Sequence, residues 1–128
     1  MRHVVSAALL AVALIHVLPV SGVLGAEQLA QLYGIGVAEP NVEILLRHRA
    51  VLFGILGAWL AAAAFLPVLQ PAAFMAGLAS VGSFLVVAWQ VGGYNAQVSR
   101  VVVADLVAFV GLAVGLAAYV GSRRVARR

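Results

Sequence analysis

The chain lacks cysteine altogether and carries few charges. Without cysteine it cannot form disulfides or use thiol chemistry, which excludes a secreted disulfide scaffold. Only 9% of its 128 residues are charged, whereas a soluble domain normally has about 25%. So low a charge content also excludes a soluble nucleotide-binding domain of the Rossmann or P-loop type.

Apolar side chains dominate the composition instead. Hydrophobic residues make up 65% of the chain, against about 45–50% in a typical soluble domain. A membrane-spanning helix needs roughly 20 predominantly apolar residues, so four spans would use most of the chain and leave only short connections. We therefore expect an all-α integral membrane protein, with residues 1–128 forming a single antiparallel four-helix bundle.

Apolar runs and their interruptions predict where the helices lie. We expect spans over residues 4–24, 42–66, 72–91 and 101–121. The polar connection 25–41 contains Leu29, Leu32 and Tyr33 at helical spacing, which predicts a short interfacial helix after the first span. We expect the first span to remain as a helix rather than to be cleaved as a signal peptide.

Arginines near the helix ends predict the orientation. All eight basic residues are arginine, and four of them lie in the tail 122–128. With both termini inside, five arginines are cytoplasmic and three, Arg47, Arg49 and Arg100, are external. We therefore expect a multi-pass protein of the bacterial inner membrane with both termini in the cytoplasm. The tail predicts contact with anionic lipid and not nucleic acid, because no aromatic residues interleave with it.

Helical phase separates small residues from large ones. At roughly 100° per residue, Gly54 and Gly57 share one face of the second span, whereas Trp59 lies opposite. The fourth span carries a similar stripe that includes Gly111 and Gly115. Small residues let membrane helices approach closely, so these four glycines are predicted to pack between helices. In the third span, the face predicted to pack contains Ala72, Ala76, Ala79, Ser83 and Gln90.

Polar side chains of the spans concentrate in one layer beneath the outer ends. The candidates for a ligand site or polar network are His16, Glu43, Arg47, Gln90, Asn95, Arg100 and Asp105. An ionisable group inside a membrane costs about 2.5–3.5 kcal/mol on insertion scales, which favours a functional role. A neutral network of Glu43, Arg47 and Asp105 that only fixes helix order is an equal alternative. Arg47 is predicted to be the centre of this layer, with Arg49 and His48 turned away toward the interface.

No familiar catalytic or cofactor motif accompanies the polar layer. His16 and His48 lie at comparable depth, but the phase of His48 turns it outward, so we do not expect the pair to bind haem. The sequence has no HxxxH, no CxxC and no clustered carboxylate pair of the kind that binds metal. It also lacks a Ser-His-Asp arrangement and a phosphate-binding loop. We therefore expect neither a metal nor a resident cofactor.

Three segments carry a resemblance to known sequences: AEQLAQLYGI, NVEILLRHRAVLFGILGAW and VGGYNAQVSRVVVADLVA. They resemble a group of small bacterial four-span inner-membrane proteins, over nearly the whole chain, and the plan is similar to the DoxX-like class. Such proteins are often labelled phosphopantetheine adenylyltransferase, a soluble enzyme with a phosphate-gripping HxGH turn. Here Val17, Leu18 and Pro19 follow His16, so the resemblance implies fold and location but not that activity.

Two functions from different classes follow from these observations. The first is a non-enzymatic accessory or assembly subunit that contacts a membrane-protein partner, or a second copy of the chain, within the lipid bilayer. The second is a small carrier, or a lipid- or quinone-binding module, that uses the outer polar layer as its ligand site. Co-purification of a protein or of a small molecule would separate them.

Overall fold

Five α-helices account for most of the computed structural model, which describes residues 1–126. They are α1 (Arg2–Val17), α2 (Ala26–Tyr33), α3 (Pro40–Phe65), α4 (Gln70–Val91) and α5 (Ala96–Ala126). Within the described residues there is no strand. Four segments are long and apolar enough to cross a membrane: Arg2–Leu24, Pro40–Phe65, Pro67–Val91 and Ala96–Val125. The all-helical, four-span prediction is confirmed to this extent, while Arg127 and Arg128 of the predicted tail lie outside the described residues.

The four long helices form a ring in which sequence neighbours run antiparallel. Helix α1 packs against α3 and α5, and α4 packs against the other sides of the same two helices. Leu9, Leu60, Phe74 and Leu112, one from each long helix, are completely or almost completely buried and form the centre of the core. Lipid is as apolar as these side chains, so close packing must hold such helices together.

Proline and glycine set most of the helix ends. Pro19 has no backbone N–H with which to continue an α-helix, and after α1 the chain forms a 3-10 helix over Leu18–Leu24. Gly34 ends α2 with a φ of +65° and Gly92 ends α4 with a φ of +62°, values that glycine adopts without steric cost. The first span therefore changes from α-helix to 3-10 helix within the apolar run 4–24.

Helix α5 begins earlier than the apolar pattern predicts. The Asn95 side-chain Oδ1 accepts a hydrogen bond of 2.9 Å from the Val98 backbone N–H, which is the usual geometry of an N-terminal cap. Residues 96–100 are consequently helical, although the two glycines before them had suggested an irregular connection up to residue 100.

The four glycines predicted to pack between helices differ in how much free space surrounds them. A Cβ at Gly57 would lie 2.9 Å from Val17, and one at Gly115 would lie 2.9 Å from Ala8. A Cβ at Gly54 would lie 3.3 Å from its nearest neighbour, whereas one at Gly111 would meet its nearest neighbour at 3.7 Å. Gly57 and Gly115 are therefore the positions with least room for a side chain.

The predicted packing face of the third span is wrong. Ala72, Ala76, Ala79, Ser83 and Gln90 are all exposed, and the buried face of α4 instead includes Ala73, Phe74, Gly77 and Val81. Leu112 of α5 enters at Gly77, where a Cβ would lie only 3.1 Å from it. Alanine occurs on both faces of α4, so small size alone did not identify the face that packs.

Candidate functional site

A cavity of about 300 Å³ lies at the end of the bundle that carries α2. We call it the α2-end cavity. Its apolar wall includes Ile15, Leu32, Phe53, Val101 and Ala104, and its polar lining includes His16, Tyr33, Arg49, Gln97, Arg100 and Asp105. These residues come from α1, α2, α3 and α5. A concave, mostly apolar site with a few convergent polar groups is the usual form of a small-molecule site.

His16 lines this cavity, and its ring carries a buried nitrogen that is itself closed to solvent. The residue is only 1% exposed, and its Nδ1 lies 2.9 Å from the Val12 carbonyl oxygen. A carbonyl can only accept, so Nδ1 carries the hydrogen and the neutral ring leaves Nε2 as an acceptor. Nε2 is buried and has no hydrogen-bond partner within residues 1–126. Leaving such a group unpaired costs about 1–3 kcal/mol.

Asp105 is a second buried polar group, and it forms no ion pair within residues 1–126. The residue is 7% exposed and lines the cavity. In the described part of the chain the only ion pair joins Arg47 and Glu43, so neither Arg49 nor His16 lies within ion-pairing distance of the Asp105 carboxylate. Buried carboxylates normally have hydrogen-bond or charge partners. Asp105 is therefore available to a molecule in the cavity.

Arg49 forms a fixed cationic wall of the cavity. Its Nη1 donates a 2.7 Å hydrogen bond to the Tyr33 hydroxyl oxygen. Its Cζ also lies 4.5 Å from the centre of the Phe53 ring, 5.3 Å from that of Tyr33 and 5.6 Å from that of Phe84. Cation–π contacts of this kind favour a guanidinium over aromatic faces. Three aromatic rings and one hydroxyl thus hold the charge in place, and Nη2 donates to no other group among residues 1–126.

Helix α2 is attached to the start of α5 by Asn95. The Asn95 Nδ2 donates to the Tyr33 carbonyl oxygen at 2.8 Å and to the Gly34 carbonyl oxygen at 3.2 Å. Because the Asn95 Oδ1 also caps α5, one side chain connects the two helices. This connection positions Tyr33, and through Tyr33 it positions Arg49.

The predicted site residues do not all come together. His16, Arg100 and Asp105 line the cavity, and Asn95 lies beside it. Glu43, Arg47 and Gln90 do not line it. His48 is exposed and is also absent from the lining, so the two histidines considered for haem do not share this cavity.

Arg47 and Arg49 have the reverse of their predicted positions. Arg47 is paired with Glu43 at 3.2 Å, with side chains 47% and 32% exposed, and its Nε donates to the Val23 carbonyl oxygen at 3.0 Å. The small-residue stripe of α3 marks only the edge that meets α1. The packed face of α3 also includes positions about 100° away from this stripe around the helix axis, among them Phe53 and Leu60. Arg49 lies on the same side of α3 as these two residues.

Arg49, Tyr33 and Phe53 are three of the cavity residues that were not among the candidates from the sequence. One signal could have identified Arg49 and Phe53, because Phe53 follows Arg49 by four residues and such residues are neighbours on a helix surface. An arginine beside an aromatic residue at that spacing indicates a cation–π contact rather than a side chain free to reach the interface.

The side chains of the cavity suit hydrogen bonding more than metal binding. No group of three His, Asp or Glu side chains that could hold a metal ion occurs in residues 1–126. Among the polar groups of the lining, Asp105 offers acceptor oxygens, and Arg49, Arg100 and Gln97 offer N–H donors. Comparison of the chain with family models, curated proteins and solved structures finds no match in any of the three.

Proposed function

We propose that the protein is a membrane-embedded binding protein, or small carrier, for one amphiphilic molecule of the lipid or quinone class. In this proposal the long helices cross the bacterial inner membrane, α2 lies at its outer surface, and the α2-end cavity receives the polar head of the ligand. The single observation that carries the proposal is the convergence of His16, Arg49 and Asp105 on one apolar-walled cavity, with no ion pair among them in the described residues.

The cavity supports an amphiphilic ligand by its size and by its lining. Small-molecule pockets span about 300–1,000 Å³, and this one, at about 300 Å³, has room for a polar head or a single ring system. A longer apolar tail would remain among lipids. Polar ionisable groups within membrane spans commonly mark ligand or ion pathways, and here two of them, His16 and Asp105, are more than nine-tenths buried.

The accessory-subunit alternative has no comparable support. The bundle exposes large apolar side chains such as Trp59, Trp89 and Val107, but a lipid bilayer covers such surfaces as well as a protein partner does. A subunit whose role is only to pack against neighbours would not need unpaired polar groups in a cavity.

Retention of a small molecule tests the proposal. The protein is purified in mild detergent, extracted with organic solvent and examined by mass spectrometry beside two variants. Ala104→Phe fills the cavity, whereas Val103→Phe adds the same ring at an adjacent position that is 57% exposed. We expect a lipid or quinone compound in near-stoichiometric amount with the wild type and Val103→Phe, and a loss of at least about tenfold with Ala104→Phe.

Two outcomes would contradict the proposal. The first is an extract of the wild type that contains no compound enriched over Ala104→Phe. The second is a stoichiometric protein partner retained equally by all three proteins in the absence of such a compound, which would favour the accessory role.

A further inference from the structure

We infer that the ligand of the α2-end cavity carries a head group with one negative charge, which binds at Arg49 and Arg100. This inference rests on the proposed function and narrows its ligand to anionic amphiphiles. Two membrane sources supply such a head: a fatty acid, through its carboxylate, and an anionic phospholipid, through its phosphodiester. A quinone, whose head is neutral, lies outside this class.

The charged side chains that line the cavity are positive in sum. They are two guanidinium groups, on Arg49 and Arg100, against one carboxylate, on Asp105. A guanidinium stays protonated in proteins, and His16 can add no negative charge, so the lining is positive whether Asp105 is ionised or neutral. With Asp105 ionised, a single negative charge on the ligand makes the occupied cavity neutral.

The hydrogen-bond donors of Arg49 are accessible to a ligand. Its Nη1 donates to the Tyr33 hydroxyl oxygen at 2.7 Å, whereas Nε and Nη2 donate to no group among residues 1–126. The only buried side-chain nitrogen or oxygen without a partner in that part of the chain is His16 Nε2, so the unpaired nitrogens of Arg49 are not closed off. The N–H groups of Nε and Nη2 point in parallel and match the two oxygens of a carboxylate or phosphate.

Arg49 is held in position without an acidic partner. The rings of Phe53, Tyr33 and Phe84 lie within 5.6 Å of its Cζ, and the ion pair between Arg47 and Glu43 is the only one in residues 1–126. Charged groups within membrane spans usually pair with one another. A ligand anion would supply the missing negative charge, and little side-chain freedom would be lost when it binds.

Neutral and cationic heads match this lining less well. A quinone or ester carbonyl can accept from Arg49, but hydrogen bonds to an ionised acceptor are roughly twice as strong, and a neutral head leaves the positive charge uncompensated. A cationic head would meet both guanidinium groups. Asp105 opposes an anion placed beside it, so the head should bind at Arg49, with the exposed Arg100 adding a second positive charge.

Matched probes measure the effect of the ligand charge directly. The full-length protein in nonionic detergent is titrated at about pH 8.5, where a carboxyl group is ionised. The fatty-acid arm compares dodecanoate with methyl dodecanoate, and the phospholipid arm compares dihexanoyl phosphatidylglycerol with dihexanoyl phosphatidylcholine. Affinities are expressed as mole fractions in the micelle, because the probes partition differently. In the arm that contains the natural chemistry, we expect the anion to bind at least about tenfold more tightly than its partner, or about 1.4 kcal/mol.

Variants locate the preference in the cavity. Arg100→Gln removes one positive charge from the lining and should reduce the ratio of the two affinities by at least about threefold. Arg47→Gln is the matched control, because it removes the same charge from an exposed position outside the cavity and should leave the ratio unchanged. Asp105→Asn removes the opposing carboxylate and should preserve or raise the affinity for the anion.

Three results would overturn the inference. The first is a wild type that binds the anion no more tightly than its partner in both arms, or that binds no probe. The second is an equal fall of the affinity ratio in Arg100→Gln and Arg47→Gln, and the third is a fall of anion affinity in Asp105→Asn. The comparison of probes on the wild type does not depend on whether any variant folds.

The failure of this inference is distinguishable from the failure of the proposed function. The proposed function survives if the wild type retains an extractable amphiphile that Ala104→Phe loses. A neutral quinone as that compound would support the proposed function and reject the anionic head. If nothing is retained, both fail.

Discussion

Gly57 illustrates how a single residue determines the distance between two helices. An added Cβ would lie 2.9 Å from Val17 and 3.2 Å from the Ala13 carbonyl oxygen, and the backbone oxygen cannot rotate away. We therefore predict that Gly57→Ala lowers the free energy of unfolding by about 1–3 kcal/mol, the usual cost of overpacking. Thermal unfolding in detergent, followed by circular dichroism, measures this change.

Gly111→Ala is the matched control for Gly57→Ala. A Cβ at Gly111 would make an ordinary 3.7 Å contact with Val12. The transition temperature of Gly111→Ala should therefore stay close to that of the wild type. Equal destabilisation by the two substitutions would show that close approach at Gly57 is not the cause.

Arg49 should contribute more to stability than Arg47. Arg49 donates to the Tyr33 hydroxyl and contacts three aromatic rings, and a hydrogen bond from a charged group contributes about 1.5–3 kcal/mol. The Arg47–Glu43 pair and the Arg47 hydrogen bond to the Val23 carbonyl oxygen are both open to solvent, and exposed helical ion pairs contribute about 0.3–0.5 kcal/mol. We expect Arg49→Ala to lower the transition temperature clearly more than Arg47→Ala does.

Arg49→Lys distinguishes the guanidinium from a simple positive charge. Lysine keeps the charge but loses the planar group that lies over aromatic rings, so it should restore only part of the stability lost in Arg49→Ala. If Arg47→Ala lowers the transition temperature more than Arg49→Ala does, the contacts of Arg49 with Tyr33 and the aromatic rings do not contribute to stability as we predict.

At the scale of the element, the attachment of α2 depends on one side chain. Asn95→Asp keeps the oxygen that caps α5 but loses the two N–H donors to the carbonyls of Tyr33 and Gly34. We predict faster amide hydrogen exchange in Ala26–Tyr33, by about tenfold if roughly 1.4 kcal/mol is lost, and unchanged exchange at the start of α5. Asn95→Ala should accelerate exchange in both places.

That experiment has a clear contrary result. Unchanged exchange of α2 in Asn95→Asp would mean that the burial of Leu29, which is 0% exposed, holds the helix without help from Asn95.

The sequence predicted the elements better than it predicted their faces. Proline and glycine act locally on the backbone, so Gly34, Pro67 and Gly92 indicate helix ends from their positions in the sequence. The inward face of α4 depends on which neighbour enters it, as Leu112 does at Gly77, and that information belongs to another helix. His16 and Asp105 could be identified as candidates because each is a polar residue within an apolar span. The hydrogen bond between Arg49 and Tyr33 could not, because it joins two different helices.

For the whole molecule, the ring of antiparallel helices places both described ends of the chain together. Met1 lies beside Gly121 at the end opposite α2. We predict that reporter fusions after Arg128 are active in the cytoplasm and that reporters inserted within residues 35–38 are active outside the inner membrane, because arginine is retained on the cytoplasmic side. Reporters on the same side, or a C-terminus outside, would contradict this orientation.

The 3-10 segment after α1 has a consequence for the thickness of membrane that the first span can match. A 3-10 helix rises about 2.0 Å per residue and an α-helix about 1.5 Å, so the seven residues Leu18–Leu24 reach about 3–4 Å further than another two turns of α-helix would. The first span thereby approaches the length of α3, its longer neighbour. Pro19 thus lengthens the first span. Its replacement by alanine would shorten this span and leave it suited to a thinner bilayer than the helices around it.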